Sequence, residues 1–136
     1  MKNIDLNKYK EFVDAVTSDE SKSNDAFSNR WNSLENQREA EMPRLLTACL
    51  GLSAEAGEFT EVVKKILFQG KPLDEDNIYH MQRELGDVLW YWMQGCIALK
   101  IDPNEVIQMN IDKLKARYPG GDFDAHYSEN RQDGDL

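Results

Sequence analysis

The chain has 136 residues, 40% of them hydrophobic, and a formal net charge of −9 from 25 acidic against 16 basic side chains. That length fits a single domain, 1–136, able to bury its own core, and the charge excludes plain electrostatic binding to nucleic acid or to an acidic membrane. The opening Met1-Lys2-Asn3-Ile4-Asp5 lacks the apolar run of a signal peptide and no stretch is long and apolar enough to span a bilayer, so the expected location is cytoplasmic.

From Asp5 to Val16, Leu6, Tyr9, Phe12, Val13 and Val16 recur at helical spacing, which predicts a short amphipathic helix. Ser18 to Asn29 breaks that pattern: Ser-Asp-Glu-Ser-Lys-Ser-Asn-Asp has little to bury, and residues 18–30 read as a flexible loop. A long helix is predicted from Pro43, where proline suits a first turn, to Phe68, ahead of the stop in Gln69-Gly70-Lys71-Pro72. Cys49 inside it and Cys96 further on sit in apolar helical patterns and form no metal-type cluster, as buried free thiols in a reducing compartment would.

Asp74 is placed to cap a second long helix, which continues to Leu99 before Asp102-Pro103. Its segment from Leu85 to Leu99 is apolar nearly all round, with Val88, Leu89, Trp90, Tyr91, Trp92, Met93, Cys96 and Ile97. Such a helix needs cover on several sides, which predicts a homodimer or homotetramer, the alternative being the central helix of a monomeric bundle. Asp102 caps a third helix from Pro103 to about Arg117, ended by Pro119-Gly120-Gly121, and the acidic tail 119–136 reads as loosely held. Strand-like alternation is absent, so the fold class is all-α, with a helical core at about 43–118.

Glu55 and Glu58 are neighbours on one helix face, and Glu84 and Asp87 are neighbours on the next. Both pairs lie a similar distance from the turn at Gly70 to Pro72, so two antiparallel helices bring them to one depth. Carboxylates without imidazole or thiolate favour a hard cation, Mg²⁺ or Mn²⁺, and the bland alternative is a solvated acidic face. Gly57 and Gly86, each at the same offset inside a pair, cost about 1 kcal/mol apiece relative to alanine; close helix approach or room for a substrate would offset that. His80 falls on the face of Glu84 and Asp87 and reads as a rim histidine, because a hard-metal site has no need of imidazole.

Glu-x-x-Glu followed at this separation by Glu-x-x-Asp resembles the signature of the MazG-like all-α nucleoside triphosphate pyrophosphohydrolases, relatives of the dimeric dUTPases. The surrounding words are similar too: Gly51-Leu52-Ser53-Ala54-Glu55-Ala56-Gly57-Glu58, Val63-Lys64-Lys65, Glu84-Leu85-Gly86-Asp87-Val88-Leu89-Trp90-Tyr91, Asn110-Ile111-Asp112-Lys113-Leu114 and Arg117-Tyr118-Pro119. The resemblance covers about Leu45 to Phe123 and departs at Ala54, where many members carry a further glutamate, which leaves the number of ions open.

The resemblance implies a four-helix-bundle-like fold with two long antiparallel central helices. It also implies hydrolysis of a nucleoside triphosphate, a dNTP first, to the monophosphate and pyrophosphate, in nucleotide pool cleaning or balancing. Mg²⁺, or Mn²⁺ in its place, would sit between the acids and the phosphates, cancelling repulsion, polarising a phosphoryl oxygen and lowering the pKa of a bound water. Glu55, Glu58, Glu84 and Asp87 are the implied ligands, and one carboxylate, with Glu61 nearby, the implied general base. Asn110, Lys113 and Arg117 share a helix face and Lys65 lies two turns beyond Glu58; with Tyr118 they form the implied substrate-binding set, the alternative being an exposed basic stripe. Trp31 is a candidate base-stacking platform, whereas Trp90 and Trp92 read as core or interface. Three rivals stand beside this reading: a di-iron bundle, which wants Glu-x-x-His pairs that neither acidic pair supplies, a non-catalytic helical interaction module, and an alarmone-directed pyrophosphohydrolase.

Overall fold

The computed structural model describes residues 4–130 apart from 36, 38 and the side chain of Glu35; the Met1-Lys2-Asn3 start and the end of the expected tail, 131–136, lie outside the described residues. The chain divides into two units, Met1–Met42 and Pro43–Leu136, and the expected helical core lies in the second. All regular structure among the described residues is helical.

In the first unit, α1 spans Leu6–Ala15, and the Asp5 carboxylate caps it by accepting from the backbone N–H groups of Asn7 and Lys8. The segment expected to be a loop is instead structured: a 3₁₀ turn at Asp19–Ser21 leads into α2, Asn24–Glu35. Ser23 Oγ accepts from the N–H of Ala26 at 3.3 Å, closing the first turn. Phe27, Trp31 and Leu34 then recur at helical spacing, with the Phe27 and Trp31 rings 5.7 Å apart. Polar composition misled because a few well-spaced apolar side chains and one cap outweigh it.

The second unit follows the sequence closely. Its helices are α3, Met42–Phe68; α4, Glu75–Leu99; α5, Pro103–Arg117; and α6, Ala125–Glu129, a short turn inside the expected loose tail. Gly70 takes φ 71°, and the Lys71 N–H reaches back to the Lys65 carbonyl at 3.1 Å, ending α3 as a glycine stop requires. Asp74 caps α4 by accepting from the N–H of Asn77, and Asp102 caps α5 by accepting from that of Asn104, with Pro103 in the first turn.

The contacts between α3 and α4 run in antiparallel order. Arg44 Nη1 donates to Gln94 Oε1 at 2.7 Å, Ala48 lies against Gly95, and Gly51 against the Tyr91 ring. Nearer the turn, Glu58 meets His80 and Glu84. At the turn itself the Asn77 side-chain amide donates to the Pro72 carbonyl at 2.9 Å.

Small residues allow the two helices to approach. Ala48 and Ala98 are buried, and a methyl group on Gly51 would fall inside the Tyr91 ring. At Gly57 and Gly86, where an added Cβ meets nothing within 4 Å, this corrects close helix approach and leaves the other expectation, room for a substrate. Close helix approach therefore operates about one turn before the first acidic pair, and the glycines within the pairs border open space. Cys49 is also corrected: it is exposed, and of the two thiols Cys96 alone is buried.

Along α4, Leu85, Leu89, Trp90, Met93 and Ile97 stay between 38% and 60% exposed, so the apolar segment keeps an uncovered arc. No helix among the described residues is long and apolar enough to cross a membrane.

Candidate metal centre

Two carboxylates from α3 and two from α4 converge as the helical spacing requires. One ligand atom each from Glu55, Glu84 and Asp87 lie within 4.8 Å of one another, and so do those of Glu58, His80 and Glu84. Glu84 belongs to both groups. It is the most enclosed of the acids, 6% exposed, and its Oε1 lies 2.9 Å from His80 Nε2, one helical turn earlier.

The electrostatics follow from this crowding. Partial desolvation, the neighbouring Glu58 carboxylate and a side-chain hydrogen bond with Glu84 push the Glu55 carboxyl above its ordinary 4.5, and the charges of Asp87 and Glu84 add to the effect. Two carboxyl groups in hydrogen-bonding contact must share a proton or a cation. The donor set of Glu55, Glu84 and Asp87 is all oxygen, which fits a hard divalent cation.

Glu61, expected near the site as a general base, lies in neither group. It is hydrogen bonded and ion paired to Lys64 and to Lys65, the latter at 3.2 Å, and these lysines hold its carboxylate below its usual range. Lys65, expected at the substrate, is thereby partnered within its own helix.

An open apolar groove of about 580 Å³ is lined by Leu52 of α3, by Leu85, Val88, Leu89 and Trp92 of α4, and by Val106, Ile107 and Asn110 of α5. Leu85 and Val88 are the sequence neighbours of Glu84 and Asp87, so the groove runs beside the acids, and Asn110 is the polar group on its α5 wall. Lys113 and Arg117 continue the Asn110 face one and two turns on. Tyr118 stands apart from this groove, in a smaller hollow with Ile111, Leu114 and Phe123, its ring 5.8 Å from that of Phe123. Trp31 belongs to the first unit, on α2.

The residue that sequence reasoning set aside is His80. Its signal was present in the four-residue spacing to Glu84, which places the two side chains one above the other on a helix.

Residues 44–121 match the family model described as the MazG nucleotide pyrophosphohydrolase domain, more than half of the chain. The Gene 37 protein of Mycobacterium phage L5 is 40% identical over 73 residues, an alignment that takes in 53% of this chain and 64% of the phage protein. The chain thus spans less than two thirds of that relative's length. No solved structure matches.

Proposed function

Because the chain belongs to the MazG nucleotide pyrophosphohydrolase family, we propose that it hydrolyses a nucleoside triphosphate, a dNTP first, to the monophosphate and pyrophosphate in a cytoplasmic pool-cleaning role. The observation that carries the reading is the nearly buried Glu84 carboxylate, gathered with Glu55 and Asp87 within 4.8 Å. Such a concentration of negative charge has a use when a divalent cation and a polyanion share the site. Bound there, Mg²⁺ or Mn²⁺ would neutralise the triphosphate and make its phosphorus more electrophilic.

Each remaining role falls to a residue of the chain. Glu55, Glu58, Glu84 and Asp87 would hold the cation. Hydrolysis joins a water oxygen to the α-phosphorus and breaks that phosphorus's bond to the oxygen bridging to the β-phosphate, which leaves with pyrophosphate. The water proton would pass to a carboxylate, which must keep its proton affinity to serve as the base. Glu61 suits it poorly, since Lys64 and Lys65 lower its own. Lys113 and Arg117 receive the phosphates, Asn110 orients the sugar, and the apolar groove beside the acids accommodates the base.

The uncovered arc of α4 supports assembly as a homodimer in which a second copy covers Trp90 and Met93 and completes a four-helix bundle. Incubation with the common NTPs and dNTPs in Mg²⁺ tests the activity. Pyrophosphate release abolished by Glu58→Gln in a folded protein is the expected result, whereas no turnover together with no Mg²⁺-dependent thermal shift refutes it.

A further inference from the structure

We propose that the apolar groove recognises the base of the substrate by its apolar surface and not by its hydrogen-bonding edge, with Trp92 as the residue that sets the preference. This rests on the hydrolysis reading above and names what the same site selects: triphosphates graded by the apolar area of their bases.

The groove borders the acids on both long helices. Leu52 stands about one turn before Glu55 on α3, and Leu85 and Val88 directly follow Glu84 and Asp87 on α4. Its volume of about 580 Å³ falls within the range of about 300–1,000 Å³ common to small-molecule sites. Leu85, Leu89 and Ile107 are each more than half exposed, so the walls still have apolar surface to remove from water when a base enters.

The lining fixes how that base can be read. Among the described residues that form it, Asn110 is the sole polar side chain, and its proposed role is at the sugar. The walls are α-helical, so their backbone N–H and C=O groups are committed to one another. The largest flat surface on offer is the indole of Trp92, half-buried on α4. Trp92, read from the sequence as core or interface, instead lines the groove, whereas Trp31, the expected stacking platform, belongs to the first unit. In such a lining an added methyl group on the base gains severalfold, while a polar edge left at the open side keeps its water and goes unread.

Steady-state kinetics of the full chain with Mg²⁺ test this. dTTP should exceed dUTP in kcat/KM about fourfold, the worth of one buried methyl-sized group. Deoxynebularine triphosphate, an adenine nucleotide without the exocyclic amino group, should match dATP within about fivefold, since no hydrogen bond is lost. Trp92→Leu should raise KM for dATP at least about fivefold with kcat held within about twofold, and Trp92→Phe should raise it less. In the complex with α,β-imido-dTTP, the thymine methyl should give nuclear Overhauser effects to the methyl groups of Val106 or Ile107. A loss beyond about fivefold with the nebularine nucleotide, dUTP turned over as well as dTTP, or an unchanged KM in Trp92→Leu overturns the proposal and leaves hydrolysis standing. So do contacts of those methyl groups with a second copy, in half-labelled protein, in place of the thymine. Turnover of no NTP or dNTP overturns both readings.

Discussion

Three glycines of the second unit offer an internally controlled test of the packing. Gly51 faces the Tyr91 ring so closely that a methyl group would overlap it, whereas an added Cβ at Gly57 or Gly86 meets nothing within 4 Å. All three lie inside long helices, where alanine is favoured over glycine by about 1 kcal/mol. Gly57→Ala and Gly86→Ala should therefore each stabilise the protein by up to about that amount. In Gly51→Ala the same gain is opposed by overpacking of about 1–3 kcal/mol, so the variant should be neutral to destabilised by about 2 kcal/mol. For a protein of this size the spread between the two kinds of variant corresponds to roughly 3–12 °C in Tm. Urea and thermal unfolding by circular dichroism, at one fixed protein concentration and with EDTA present, measure it. Combining Gly51→Ala with Tyr91→Ala should recover about 1–3 kcal/mol of coupling. A Gly51→Ala protein as stable as Gly57→Ala, or zero coupling to Tyr91, would refute the helix contact described here. If the space beside Gly57 and Gly86 accommodates substrate, the two stabilised variants will also show a raised KM.

A pH series isolates Glu55: its folded carboxyl titrates above 4.5, so the metal-free folded chain binds more protons than the unfolded one and loses stability as pH rises through that window. The Tm advantage of Glu55→Gln over wild type in EDTA should grow from pH 4.5 upward and then level off; equal differences at both ends of the titration refute the assignment. Lys113→Ala and Arg117→Ala should each lower kcat/KM about tenfold or more, the worth of one charge-assisted contact, with metal affinity unchanged by calorimetry; unaltered kcat/KM would remove them from the phosphate site. Trp90→Lys places a charge in the uncovered arc of α4 and should convert a dimer to monomer by light scattering, while a wild type monomeric at every concentration would show that the arc serves no self-assembly.

The long helices were legible because their ends are written in residues with one conformational use: Gly70 at φ 71°, Asp74 and Asp102 as side-chain caps, and Pro103 in a first turn. The pairing of Glu55 with Glu84 and Asp87 was legible for a related reason, since equal rise from a marked turn fixes depth along two antiparallel helices. Helix α2 was not, because the recurrence of Phe27, Trp31 and Leu34 is a property of spacing that polar composition conceals. Spacing also cannot tell which of several glycines meets a ring: Gly51 and Gly57 differ only in what the other helix presents, and that depends on the rotation of both helices about their axes. His80 was set aside on chemical grounds, as an imidazole superfluous to a hard cation, and geometry returns it to the acids.

The helical hairpin is fastened on both sides of its acids. On one side lie the Arg44–Gln94 hydrogen bond and the contacts of Ala48 with Gly95 and of Gly51 with Tyr91; on the other lies the turn held by Asn77 and Pro72. Like charges in between push the helices apart but act on a beam clamped at both ends, so the packing on either side holds the carboxylates at their spacing. The site is thereby preorganised. Under the proposed function, an incoming ion would meet ligands already placed, the cost of gathering them having been met once, during folding, and ion exchange between turnovers would not wait on any movement of the helices.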